Sequence, residues 1–288
     1  MPNRLQRRNV GKDGHWYLFD SKYAPGVTTV LGTGLAVPFS VGSNWAARLV
    51  AQFVADNTEW ITSAPNKQFI IDGLRAIPNN TRDEAAVKGK HCHNYAEQLH
   101  DTGQLELPPE HEHYAPYVQA VADLLDEYDI TSHHVEIPLA LTTLKVCGTT
   151  DVIASSPAIA ATVNRMRIEA GMPLIADNAL GVIDYKFGNA LRDKDSVQVE
   201  TYRRADLAHL DGVEQPMPPL EWSALIHGRA DGATLEIVHP AYQDALFRLF
   251  RAALYEWEAL DQKRGWITAA RRPAEELLAM NPAQETAA

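Results

Sequence analysis

Asp184-Tyr-Lys186 closes an apolar run that begins at Gly181. A carboxylate and an ammonium two residues apart on a strand share one face. The spacing alone says little, because it recurs at Asp20/Lys22 and Asp261/Lys263 in segments with no supporting feature. The copy at 184 follows Val182 and Ile183, and it has an acidic counterpart, Asp151, closing Gly148-Thr-Thr-Asp151. Two carboxylates gathered in one site repel each other unless one is protonated or a cation bridges them. Oxygen ligands select hard ions such as Mg2+ or Mn2+. A lysine beside such an ion can hold a water and stabilise charge on a phosphate. Asp151, Asp184 and Lys186 are therefore candidates for metal-assisted hydrolysis of a phosphate ester.

Two further constellations fit that chemistry. Gln198 and Tyr202 stand one helical turn apart just after the Asp184 strand and are followed by Arg203 and Arg204. Gly89, His93 and Glu97 fall on successive turns of one helix face, where a neutral imidazole can add a metal ligand. Singly, each group has an ordinary alternative. Asp151 can end a strand and cap a turn, and Asp184 with Lys186 can be an exposed ion pair worth ~0–1 kcal/mol. His93 can be a hydrogen-bonded helix residue, Gln198 and Tyr202 a helix surface, and the arginine pairs solvated faces. Order, element type and spacing taken together are harder to explain that way. A zinc pair of His91 and His93 is rejected, since side chains two apart on a helix diverge by ~200°.

The elements that must position these residues can be read from periodicity. The first 25 residues form a loose strand pair around 15–20, read as an N-terminal extension (1–25) before a main domain (26–265) and a partly disordered tail (266–288). A capping box, Thr81-x-x-Glu84, starts a helix that Gly103 ends, with Ala85, Gly89, Cys92, Ala96 and Leu99 as its buried stripe. A second helix covers 114–128. Alternating β-branched runs at 133–143 and 147–154 form a hairpin. A helix over 158–170 precedes the strand 181–187, and another helix covers 196–210. Arg-Ala-Asp-Gly (229–232) splits 222–228 from 233–238 as a hairpin turn, and 240–260 is helical. The expected fold class is α/β with a mixed β-sheet flanked by helices.

Composition removes other classes. Two cysteines, Cys92 and Cys147, cannot build a disulfide framework, a four-cysteine zinc site or an iron–sulfur cluster. With 26 basic and 37 acidic residues the net charge is −11, which argues against a protein that coats nucleic acid. It leaves room for an enzyme whose carboxylates bind metal. The uncharged segment 152–164 carries a proline and two serines and is too short to span a bilayer. The first 12 residues lack the apolar core of a signal peptide, so the expected location is the cytoplasm, without a membrane partner. There is no Walker loop, G-x-S-x-G elbow or H-E-x-x-H motif.

Gly89…His93, Gly148-Thr-Thr-Asp151, Asp184-Tyr-Lys186 and Gln198…Tyr202, in this order, resemble the RecB-type branch of the PD-(D/E)XK nucleases. Pro25-Gly-Val-Thr-Thr-Val-Leu resembles the opening of its phage-encoded members. The resemblance implies a restriction-endonuclease-like fold and a DNA exonuclease of phage-type recombination or repair. It places Mg2+ or Mn2+ on His93, Asp151 and Asp184, gives Lys186 the attacking water, and lets Gln198 and Tyr202 position the DNA strand, with Arg203 as a further DNA contact. Glu97 is an additional candidate beside them. A recombinase or single-strand annealing protein is an implied partner, and in a phage the location becomes the host cytoplasm. Iron–sulfur members use four cysteines, so no cluster carries over. The gap from Asp151 to Asp184 is longer than the family leads one to expect and implies an insertion. The rival readings are a catalytically inactive DNA-binding or scaffolding protein and a hydrolase of small phosphoesters.

Overall fold

The computed structural model describes residues 3–10, 14–36 and 39–270. In chain order the elements are β1 (Leu5–Val10), β2 (Gly14–Phe19), β3 (Lys22–Ala24), α1 (Val27–Gly34), α2 (Phe39–Asp56), α3 (Thr58–Thr62), α4 (Lys67–Thr102), α5 (Ala115–Glu127), β4 (Thr131–Leu141), β5 (Val146–Ser155), α6 (Pro157–Glu169), β6 (Leu180–Lys186), α7 (Asp193–Arg203), β7 (Leu207–Leu210), β8 (Val213–Pro216), β9 (Trp222–Arg229), β10 (Gly232–Ile237) and α8 (Gln243–Ala270). Short 3-10 turns occupy Pro109–Tyr114 and Pro240–Tyr242.

Seven strands form one mixed sheet in the order β10-β9-β6-β5-β4-β7-β8, and β1-β2-β3 form a second, antiparallel sheet. Within the large sheet β6 and β9 pair in parallel, and the other neighbours are antiparallel. Its central strands are apolar on both faces, as expected of strands covered on both sides by helices. Val182 and Ile153 turn into a core shared with Val197, Val199 and Tyr202 of α7 and Phe250 of α8. Ile183, Tyr185 and Val152 turn the other way, into a core shared with Cys92 of α4 and Val118 and Val121 of α5. Each such fully buried aliphatic side chain stabilises by about 1.5–3 kcal/mol. The small sheet packs Leu5, Tyr17 and Phe19 against Ala140 and Cys147 of the hairpin. A backbone bond from Cys147 N to Pro25 O ties the end of that sheet to β5.

The mixed α/β architecture, the 133–154 hairpin, the strand near 181 and the 222–238 hairpin appear where sequence placed them. Two helices differ. α4 starts at Lys67, capped by the Asn66 side chain, rather than at Thr81. Thr81 lies inside it and donates its hydroxyl to Ile77 O, the bond that makes threonine tolerable within a helix. Gly103 does end α4, in the left-handed conformation (φ 68°). Of the small-residue stripe, Cys92 and Ala96 are buried, whereas Ala85 is exposed. The second difference is α7, which stops at Arg203; the end of the segment expected to continue it forms β7, which pairs with β8 just beyond. Asp211 and Gly212, both with positive φ, make the two-residue turn between those strands.

The longest uncharged run of the chain is 23–47. It folds into β3, α1 and α2, and no helix among the described residues is long and apolar enough to cross a membrane. Of the expected tail, residues 271–288 lie outside the described residues.

Candidate metal centre

The ladder between β5 and β6 ends at the pair Val152–Ile183. One residue further on each strand come Asp151 and Asp184, so the two carboxylates sit where the strands part. The long intervening segment does not disturb this, because α6 and its loops return the chain to the edge of β5. Asp151 shares a face with Ile153, and Asp184 and Lys186 share one with Val182, so all three turn toward the α7 side. There Asp151 replaces the missing ladder partner, its Oδ2 accepting from Tyr185 N at 2.5 Å. A buried N–H left alone would cost about 1–3 kcal/mol. The fold thus anchors the carboxylate through the strand that carries the other one.

Helix α7 completes the group from above. Gln198 donates through Nε2 to Asp184 Oδ1 (3.1 Å) and to the Tyr202 hydroxyl (3.1 Å), while its Oε1 accepts from Lys186 Nζ (3.4 Å). The amide orientation is therefore set, with nitrogen toward the carboxylate and oxygen toward the ammonium. Lys186 also forms an ion pair with Asp184 Oδ2. Gln198 and Tyr202 are both buried. They hold the ionic pair in place rather than presenting a surface.

From the other side α4 delivers His93, whose Nδ1 lies 3.2 Å from Asp151 Oδ1. Its ring meets Phe187 edge-on at 5.2 Å between centroids, which limits its rotation. The structure adds a residue that motif reading missed. Glu136 of β4 lies between the pairs Val135–Val152 and Ile137–Thr150, directly opposite Asp151. His93, Glu136 and Asp151 place one ligand atom each within 4.8 Å of one another, a group able to hold a metal ion. Glu136 adopts φ 51°, uncommon for a residue with a side chain and frequent at functional sites. Glu97 is half-buried on α4, and its charge helps to raise the pKa of Glu136.

The electrostatics fit a site short of positive charge. Burial pushes Asp184 up to about 6; Asp151 adds to the rise, and Lys186 and His93 oppose it. Burial would also raise Asp151, yet His93, Lys186 and the Tyr185 N–H bring it below its ordinary value. Glu136 is raised by burial and by Asp151, against the pull of Arg7. Desolvation lowers His93 and Lys186, but Asp151 and Asp184 respectively overcome it, and both bases end above their ordinary values. Asp151 and Asp184 hold both bases above their usual pKa, and with Glu136 beside them the group is arranged to receive more positive charge.

Arg203 does not join the group. Its guanidinium lies against the fully buried Glu200 (2.7 and 2.8 Å) and donates to Leu220 O (2.9 Å). Arg204 shares that carboxylate at 3.0 Å, and Ser223 donates to it as well. This arginine pair is thus a structural ion network between α7 and β9, not a solvated face. His91 diverges from His93 and stacks on Tyr114 instead (5.2 Å). A groove of about 560 Å³ opens beside Glu136, lined among others by His100, His134 and His209. Scanning the chain against protein-family models and searching it against curated proteins both return no match.

Proposed function

We propose that the protein is a metal-dependent DNA nuclease of the RecB-type PD-(D/E)XK kind, with a restriction-endonuclease-like fold, acting as an exonuclease in phage-type recombination or repair. The observation that carries the reading is the convergence of four motif residues from three separate parts of the chain. Asp151, Asp184, Lys186 and His93 meet at one parting of two strands, linked by contacts of 2.5–3.4 Å through Tyr185 N and Gln198. The mixed sheet flanked by helices is the architecture that the resemblance implies.

His93, Glu136 and Asp151 fit a hard divalent cation, Mg2+ or Mn2+, as one imidazole and two carboxylates, with Asp184 adjoining. When bound, such an ion supplies neutralisation of phosphate charge and an acidified water. The chain's own residues do the rest. Lys186, with its pKa above the ordinary value, stays an ammonium at neutral pH. It donates a hydrogen bond to the attacking water and faces the charge that grows on the phosphate. Gln198 fixes the direction of that ammonium, and Tyr202 fixes Gln198. Asp151, pinned by Tyr185 N–H, keeps one oxygen toward His93 and the ligand group.

The test is incubation of end-labelled linear and circular DNA with wild type and Lys186→Ala, with Mg2+ and with EDTA. Loss of linear DNA only, only with Mg2+ and only in wild type, is the expected result. Equal degradation by both proteins, or none by either, removes the reading.

A further inference from the structure

Arg7 of β1 reaches across from the small sheet and places its Nη1 3.2 Å from Glu136 Oε2. Glu136 thus takes its ion pair from the small sheet rather than from the sheet that carries the site. Both partners are partly open, at 30% and 25% side-chain exposure, so the pair can separate without unfolding anything. The strand itself is held independently. Leu5 N donates to Glu214 (2.7 Å), and Arg4 grips Asp20 (2.8 and 3.1 Å). Burial holds His15 of β2 below its ordinary pKa, and the Arg7 guanidinium adds to that effect.

We infer that Arg7 is an exchangeable counter-ion: it neutralises Glu136 while the metal group is empty, gives that carboxylate up to a divalent cation, and then turns its guanidinium to the phosphate backbone of the DNA. The reasoning is competitive. A guanidinium and a divalent cation held by one carboxylate would place two positive charges a few ångströms apart, and that repulsion sets them against each other at Glu136. Once displaced, a planar fork of donors remains within reach of a site that handles phosphodiesters, and phosphate is its natural bidentate partner. The cation half stands on the geometry alone, and the phosphate half rests on the nuclease reading above.

The opposed signs make the test specific. Mn2+ is titrated into the full-length protein without DNA, and a short linear duplex is then titrated in Ca2+, with wild type, Arg7→Ala and Arg7→Lys. Arg7→Ala should bind Mn2+ on the order of fivefold more tightly, because a competitor is gone, and bind the duplex on the order of fivefold more weakly. Arg7→Lys keeps a charge on Glu136 but not the fork, so Mn2+ affinity should stay near wild type while duplex affinity falls. In a Glu136→Gln background, Arg7→Ala should no longer alter Mn2+ affinity. Unchanged or weaker Mn2+ binding by Arg7→Ala overturns the exchange, even if wild type degrades DNA as expected. Tighter Mn2+ with unchanged duplex affinity overturns the phosphate half. A wild type that neither binds nor cuts DNA, while Arg7→Ala still tightens Mn2+, removes the nuclease reading and leaves the exchange at Glu136 standing.

Discussion

Gly148, three residues before Asp151, stands where packing beside the candidate metal group leaves no room for a side chain. A Cβ added there would lie 2.6 Å from Tyr202 Cε1 and 3.3 Å from Leu139 Cδ1. The first distance is impossible for carbon atoms, and Tyr202 is buried at 2% exposure, so Gly148→Ala must shift the ring or the strand. Overpacking of this kind costs about 1–3 kcal/mol. Losing the 3.1 Å bond between Gln198 and the Tyr202 hydroxyl adds about 1 kcal/mol. Replacing glycine within a strand returns about 0.5–1 kcal/mol. The net expectation is a loss of about 2 kcal/mol in urea unfolding with an unchanged slope. The consequence for chemistry is larger, because Tyr202 sets Gln198 and Gln198 sets Lys186: misplacing the ammonium by even part of an ångström should lower DNA cleavage about 10–100-fold. Two variants isolate the cause. In a Tyr202→Leu background the alanine should cost under about 1 kcal/mol, since the clashing ring is absent. Gly89→Ala, in the interior of α4, meets nothing within 4 Å and should stabilise by about 0.5–1 kcal/mol. Wild-type stability and cleavage in Gly148→Ala would refute the idea that Tyr202 packed on the Gly148 backbone holds the site together.

Other expectations follow from particular contacts. Arg203→Ala should destabilise the protein by about 3 kcal/mol in chemical denaturation, because it removes two of the bonds to the fully buried Glu200; a purely DNA-contacting arginine would leave the unfolding midpoint unchanged and weaken only duplex binding. Mn2+ affinity should rise with pH through and beyond the ordinary histidine range. Asp151 raises His93, the ion needs the neutral imidazole, and so binding releases a proton until the pH passes that raised value. Calorimetry in buffers of different ionisation enthalpy would count the proton, and a flat affinity profile would exclude His93 as a ligand. Cys92 and Cys147, buried and pushed up to about 11 and about 12 by desolvation, should resist alkylation at pH 8 until denaturant unfolds the chain. Mass spectrometry of the iodoacetamide-treated native protein checks this, and rapid labelling of either thiol would contradict its burial.

What the sequence disclosed was whatever local pattern encodes. The Asp184 strand and the hairpin before it announced themselves through β-branched alternation, and Asp151, Asp184, Lys186 and His93 through type and spacing. The errors have equally local causes. Thr81-x-x-Glu84 imitates a capping box, but Pro78 does not break α4, so the helix passes through both. Asp211-Gly212 was a legible hairpin signal, outweighed by the helical pattern before it. Arg203 looked solvent-facing because its partner Glu200 becomes buried only when β9 packs beneath α7. Glu136 is the instructive case, since its role needs no tertiary knowledge beyond the hairpin. The four-residue connection 142–145 pairs Leu141 with Val146, and counting back five residues along each arm sets Glu136 opposite Asp151. Motif spacing finds residues that neighbour one another along the chain, whereas register finds those that neighbour across it. A candidate metal group at the parting of two strands draws on both, and for that reason the candidate ligand missing from the motifs was the one that only strand pairing could supply.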